Sequence, residues 1–166
     1  MKKSSKIMLY GCLGLSGLVV IFLFGLCLVI GFGLQSGYLA GTEVLRGGEL
    51  PERQRTEIAK IVNLRPGERI LYFYCAGFVV AEDGNLITNQ RVISYEERDG
   101  ETLVYQAEYG QIVDVEMTPG SFMEDTLLKI IPANQDYDFF LLLSIENGGD
   151  KKFYQELLKQ WEMATE

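Results

Sequence analysis

Asn85-Leu86-Ile87-Thr88-Asn89-Gln90-Arg91-Val92-Ile93-Ser94-Tyr95 is the stretch whose reading decides the fold. Two apolar pairs, Leu86-Ile87 and Val92-Ile93, flank the polar Thr88, Asn89 and Arg91, and such β-branched and aromatic residues favour extended backbone. The stretch reads as one strand over 86–95. Just upstream, Glu82-Asp83-Gly84-Asn85 carries an Asp-Gly hairpin signal, which ends a strand expected over 78–81. Before that, Ile70-Leu71-Tyr72-Phe73-Tyr74 supplies the first strand.

Downstream the β texture continues. Asp99-Gly100 marks another hairpin turn, and 102–109 alternates with Leu103, Tyr105, Ala107 and Tyr109 on one face. Residues 112–117 place Val113, Val115 and Met117 inward against Asp114 and Glu116. Pro119-Gly120 turns the chain. Residues 126–131 and 137–145 add two strands, the last with an unbroken apolar core from Phe139 to Leu143. The chain closes with a helix, for which Asp150 is a plausible N-cap. Phe153, Leu157 and Trp161, beside Tyr154 and Leu158, form an apolar stripe that must bury against something.

Upstream of the strands, 51–62 reads as a short helix. Pro51 suits its first turn, Ile58, Ile61 and Val62 form one face, and 63–67 stops it. It is expected to be a stalk. Ahead of it lies a run of 36 residues, Ile7 through Thr42, with no charged side chain, preceded by Lys2, Lys3 and Lys6. Crossing a bilayer takes about 20 apolar residues, so 7–40 is expected to be a single retained transmembrane helix. A cleaved signal peptide is the competitor, but its apolar region is about 7–15 residues long, and Tyr38-Leu39-Ala40 is a poor cleavage site. Arg46, Arg53 and Arg55 on the far side offset the three lysines only partly, which favours an N-in, C-out topology. Gly33, Gly37 and Gly41 repeat every four residues, the spacing of a helix self-association face.

All 23 acidic residues follow this run, against 12 of the 15 basic ones, a balance of −11 beyond residue 42. That excludes nucleic acid as an expected partner, because phosphate contacts need clustered Lys and Arg. With no histidine in the chain, Ser-His, Cys-His and His-metal sites cannot be built. Cys12 and Cys27 read as apolar fillers of the span, and Cys75 as a buried, inert thiol.

Three groups are candidate site residues. Thr88, Asn89 and Arg91 are either a ligand-facing polar cluster or a structural one, with Arg91 paired to a carboxylate. The acidic pairs Glu96-Glu97 and Glu124-Asp125 read as solvated charge and lack the spacing of a Ca²⁺ loop. Tyr72, Phe73, Tyr74, Tyr95, Tyr105, Tyr109 and Trp161 either fill a small β-core or line a recognition groove. No catalytic, cofactor-binding or metal-binding residue is expected.

Gly67-Glu68-Arg69-Ile70-Leu71-Tyr72 and the 85–95 stretch, with its apolar pair, Thr-Asn-x-Arg, apolar pair, resemble the bacterial pleckstrin-homology-like (PH-like) domains. The resemblance spans roughly 66–163. It implies a mainly β fold, a PH-like barrel of about seven antiparallel strands capped by a C-terminal helix. Phosphoinositide-binding relatives use a basic loop between the first two strands. Here that connection, Cys75-Ala76-Gly77, holds no Lys or Arg.

The expected organisation is therefore a basic N-terminus at 1–6, an anchor at 7–40, a stalk at 41–65 and a PH-like domain at 66–166. The expected function is a non-enzymatic, single-pass module of a bacterial cytoplasmic membrane, with its domain outside the cytoplasm and a protein or peptide as partner. Capture of a lipid or small molecule at the barrel end is the alternative reading, and a membrane-anchored enzyme the lesser one.

Overall fold

In the computed structural model the chain forms a long first helix followed by two antiparallel sheets and a closing helix. The structure describes residues 3–122, 124–133 and 137–166, with side chains in the first helix from residue 18 onward. Lys2 and the side chains of Lys3 and Lys6, on which part of the topology reading rests, lie outside the described residues, as does the side chain of Cys12.

Helix α1 is Lys3–Gln35. Its segment Leu18–Gln35 has mean hydropathy 2.6 and is almost wholly uncovered by the rest of the chain, so it is long and apolar enough to cross a membrane. The helix ends at Gln35, earlier than the apolar run does, because Gly37 takes a left-handed φ of 73°. Tyr38 N–H donates to Gly33 O (2.9 Å) and Gly37 N–H to Leu34 O (3.1 Å), the paired bonds of a Schellman cap. The Leu39 side chain then folds back over Gly33, where a Cβ would lie 2.8 Å from it. Gly33, Gly37 and Gly41 therefore do not share one helical face. Gly37 is the cap, Gly41 lies past it, and Gly33 is covered by the chain's own Leu39.

Helix α2, Glu52–Ile61, is packed on the domain and not a free stalk. Leu50, Ile58 and Val62 bury against Phe73, Leu86, Ile93 and Tyr95. Buried Gln54 donates to Leu39 O (2.8 Å), and the Arg53 guanidinium sits 3.6 Å over the Tyr38 ring. The end of α1 is thereby clamped to α2. Asn63, at φ 49°, stops α2 as expected.

The first sheet runs β1 (Leu45–Arg46), β2 (Ile70–Tyr74), β3 (Asp83–Thr88), β4 (Arg91–Arg98) and β5 (Glu101–Glu108), in that spatial order. The second runs β6 (Ile112–Thr118), β7 (Thr126–Pro132) and β8 (Phe139–Leu143). Helix α3, Gly149–Thr165, closes the chain. The two sheets pack face to face without closing into a barrel.

Both faces of the first sheet are covered, which explains the apolar pairs. Leu86 pairs with Ile93 and Ile87 with Val92. The first pair faces α2, and the second faces the other sheet, Phe153 and Leu157. A sheet buried on both sides shows continuous apolar runs in place of alternation.

Two expectations for this region are corrected. Residues 86–95 are not one strand but a β3–β4 hairpin, turning at Asn89-Gln90. The Thr88 hydroxyl accepts the N–H of Gln90 (3.0 Å) and Arg91 (3.1 Å) and so caps the turn from its own side chain. The segment 78–81 is a loop, not a strand. Gly84, read as a turn residue, is the second residue of β3. Its missing side chain admits the Tyr95 ring, whose atoms would lie 2.4 Å from an added Cβ. Losing one expected strand and splitting another leaves seven long strands.

Two smaller corrections follow the same pattern. Val113 is 59% exposed, because a bulge between Ile112 and Asp114 shifts the register and turns both Ile112 and Val115 inward. Asp150 does not cap α3, since Gly148 holds that position in a left-handed conformation. Asp150 is buried within the first turn and accepts the Thr126 hydroxyl of β7 (2.8 Å).

Candidate functional site

The Thr-Asn-x-Arg cluster is the first candidate, and its geometry is structural. Arg91 and Glu68 form an ion pair in which only 4% and 0% of the side chains are exposed. Arg91 Nε reaches Glu68 Oε1 at 2.8 Å and Nη2 reaches Oε2 at 2.9 Å, the bidentate fork of guanidinium and carboxylate. Arg91 also donates to Gln106 and to Val62 O (3.2 Å), while Thr88 donates to Glu68 (2.8 Å). Asn89 accepts Arg69 N–H (2.7 Å) and donates to Gly67 O (3.3 Å). These residues tie the β3–β4 hairpin to the end of α2 and the 63–69 loop. Thr88 and Arg91 are buried with their polar groups engaged, and half-buried Asn89 is spent on the backbone of the 63–69 loop, so the cluster reads as structural.

The acidic pairs also have structural occupations. Glu96 pairs with Arg98 (2.7 Å), Glu97 caps the Asp99-Gly100 turn through Gly100 N–H (2.8 Å), and Asp125 accepts the Tyr74 hydroxyl (2.9 Å). Among the described residues, no group of three or more carboxylate or thiol side chains is placed to hold a metal ion. Cys75 is buried, with its Sγ 3.0 Å from Asp83 Oδ1. Burial first, and then Asp83, push its thiol well above the ordinary range. Iodoacetamide at pH 8 should therefore leave Cys75 unmodified in the folded protein and label it only after denaturation. Labelling at the rate of a free thiol would contradict the buried environment.

The β2–β3 loop is the connection in which the resemblance to phosphoinositide-binding PH-like domains implies basic residues. Here its amides are already engaged by the chain's own carboxylates. Ala76 and Gly77 N–H donate to Asp83 (3.1 and 2.9 Å), and Phe78 N–H donates to Glu82 (2.8 Å). Successive N–H groups of this kind form an anion nest, and this nest is filled from within.

What remains is a groove at the open end of the sandwich, between the β3–β4 ends and β8. Asn85 and Ser94 form its polar floor, joined by a hydrogen bond of 3.1 Å. Tyr105 stands beside them, edge-on to Tyr137 with centroids 5.8 Å apart and stacked on Phe139 at 6.4 Å. Among the described residues the rim holds Asp83, Glu96 and Asp138, with Arg98 paired to Glu96 (2.7 Å) and Lys129 to Asp138 (2.9 Å). The groove is thus aromatic within and acidic at its edge, which suits a cationic or apolar guest.

Of the seven aromatics named from the sequence, only Tyr95 and Tyr105 reach this groove. Tyr72, Phe73, Tyr74 and Tyr109 pack in the two cores, and Trp161 lies on the second. Tyr137, Phe139 and Asp138 were not foreseen there. Their signal was the 137–145 run, which reads equally well as a wholly buried strand.

Comparison with known proteins agrees with this architecture. No family model matches the sequence, and no curated protein matches it. Among solved structures, the chain is similar to a pleckstrin-homology-domain-containing bacterial protein from Exiguobacterium sibiricum. The TM-score is 0.51 at 17% identity, over 72% of this chain and 62% of that one. It is also similar to a DUF1696 family protein with a pleckstrin-homology domain from Shewanella loihica, with TM-score 0.47 and 18% identity over 76% of this chain and 100% of that one. The fold is PH-like, and at these identities the likeness speaks to fold alone.

Proposed function

Given a PH-like fold joined to an apolar helix, we propose that the chain is a non-enzymatic, membrane-anchored interaction module whose groove takes a protein segment. The observation that carries this is the pairing of an aromatic, acid-rimmed groove with a β2–β3 loop whose amides are filled by Asp83 and Glu82. The first offers a surface to a basic or apolar chain. The second leaves no amide nest for a phosphate head group, and the balance of −11 beyond the apolar run repels anionic lipid. Anchoring through α1 would hold the groove at a fixed place near the bilayer, since α2 clamps the helix end. The lysines before the span favour a cytoplasmic N-terminus, with the domain on the opposite side of a bacterial cytoplasmic membrane. The groove carboxylates serve as acceptors for loop amides, Arg98 and Lys129, an arrangement that positions charge and not a general acid.

Photocrosslinking in native membranes tests the reading. A benzophenone amino acid in place of Tyr137 should give a discrete protein adduct that the same group in place of exposed Met163 does not. Adducts to lipid alone, or identical adducts from both positions, would overturn it.

A further inference from the structure

We infer that the groove binds its partner by strand addition, an extended segment alternating basic and apolar residues pairing with the free edge of β8. This rests on the groove being the interaction site. Among the described residues β8 pairs only with β7, so its other edge presents unpaired N–H and C=O groups. Natural edge strands are usually blunted by charge, proline, bulges or cover. Here the edge is Phe139-Phe140-Leu141-Leu142-Leu143, with none of these in its sequence, and its ladder with β7 is regular throughout.

The outward side chains of that edge are open as well. Phe140 is 49% and Leu142 42% exposed, beside Leu127 of β7. The groove runs along this edge, and Asp83 and Glu96 line it from β3 and β4. A guest strand lies about 4.8 Å from its neighbour and alternates its side chains between two faces. One set would cover Phe140 and Leu142. The other would turn toward Asn85, Ser94 and the acidic rim. Recognition of this kind takes affinity from the main chain and specificity from alternate side chains.

Charge selects the occupant. A second copy of the chain would bring two acidic rims together and two domains of like sign, which repel. A basic segment meets the net −11 balance of the chain beyond residue 42, although Glu96 and Asp138 of the rim already pair with Arg98 and Lys129, and it associates faster for that field.

The probe is a short capped peptide alternating Lys and Val, titrated by fluorescence anisotropy against the full chain in nonionic detergent. Two further versions carry N-methyl groups on all Lys amides or all Val amides. Alternate amides of a strand point to the same side, so only one set can face β8. One methylated version should lose at least about tenfold in affinity while the other stays close to the parent. Leu142→Lys, at an exposed position, should weaken the parent peptide comparably, as should replacing its lysines with glutamine. Equal binding of both methylated versions would overturn strand addition and leave the groove reading intact. No peptide binding, with a protein adduct still forming at position 137, would likewise sink this inference alone. If neither peptide nor adduct is seen, both readings fail. A chain dimer in sedimentation velocity that the peptide dissolves would make a second copy the occupant and overturn the commitment to a basic partner.

Discussion

Replacing Arg91 with alanine should destabilise the domain by about 3–5 kcal/mol, the usual cost of leaving one member of a buried ion pair uncompensated. Glu68 is the member left behind, with its side chain fully shielded. In the intact protein burial works to raise its pKa, but the bonds from Arg91, the Arg65 N–H and Thr88 outweigh that and hold it below the ordinary value. A carboxyl depressed by folding contributes stability that is present above its unfolded pKa and lost as pH falls through the lower folded value. In the Arg91→Ala variant the burial remains while the principal donor is gone. Its stability should rise as pH falls across the carboxylate range, opposite in sign to the parent. Urea melts of both proteins at neutral pH, near pH 5 and below pH 4 provide the comparison, since the variant's gain falls above the unfolded carboxylate value and the parent's loss below it. A loss below about 1 kcal/mol, or parallel pH slopes, would remove the pair from its anchoring role. Glu68→Leu combined with Arg91→Met should recover much of the loss, because an apolar pair of similar volume carries no desolvation cost.

Truncating Phe153 to alanine should cost a similar amount, about 3–5 kcal/mol, through the cavity it opens. Phe153 is completely shielded, and its ring lies 6.3 Å from that of Tyr72 at the meeting point of α3 with both sheets. Trp161, the largest residue of the same stripe, should matter less. It is only partly buried, and its indole N–H reaches Ile112 O at 3.2 Å near the end of the helix. Trp161→Ala is expected to cost about 1–2 kcal/mol. Chemical unfolding of both variants, followed by near-ultraviolet circular dichroism, ranks them. A larger loss at Trp161 would move the weight of the α3 contact to its C-terminal end.

The site was legible only in part. The inert Cys75 and the pairing of Arg91 with a carboxylate follow from residue type, since a lone guanidinium among apolar pairs must find a countercharge. That the countercharge is Glu68, 23 residues earlier, does not. Tyr105 was among the aromatics named, but nothing local separates it from Tyr74 or Tyr109. Which tyrosine is buried depends on where the second sheet ends, and that is a property of two elements at once.

What the sequence alone determined are features with a local cause. The absence of charge over 7–42 made α1 apolar enough to span. The Asp99-Gly100 pair turned β4 into β5, both residues taking positive φ, and the 3.6-residue spacing of Phe153 and Leu157 buried one face of α3. Tertiary structure decided whatever depended on a partner distant in the chain. Asp83-Gly84 has the composition of a turn, yet it became a strand because Tyr95 needed the space over Gly84 and the Thr88 hydroxyl offered a better turn at Asn89. Residues 51–62 have the pattern of any amphipathic helix, and only the outer face of the first sheet made them part of the core. The run from Phe139 to Leu143 is apolar on both faces, but the fold supplied cover for one. The other face, with its edge, is open because no element among the described residues reaches it.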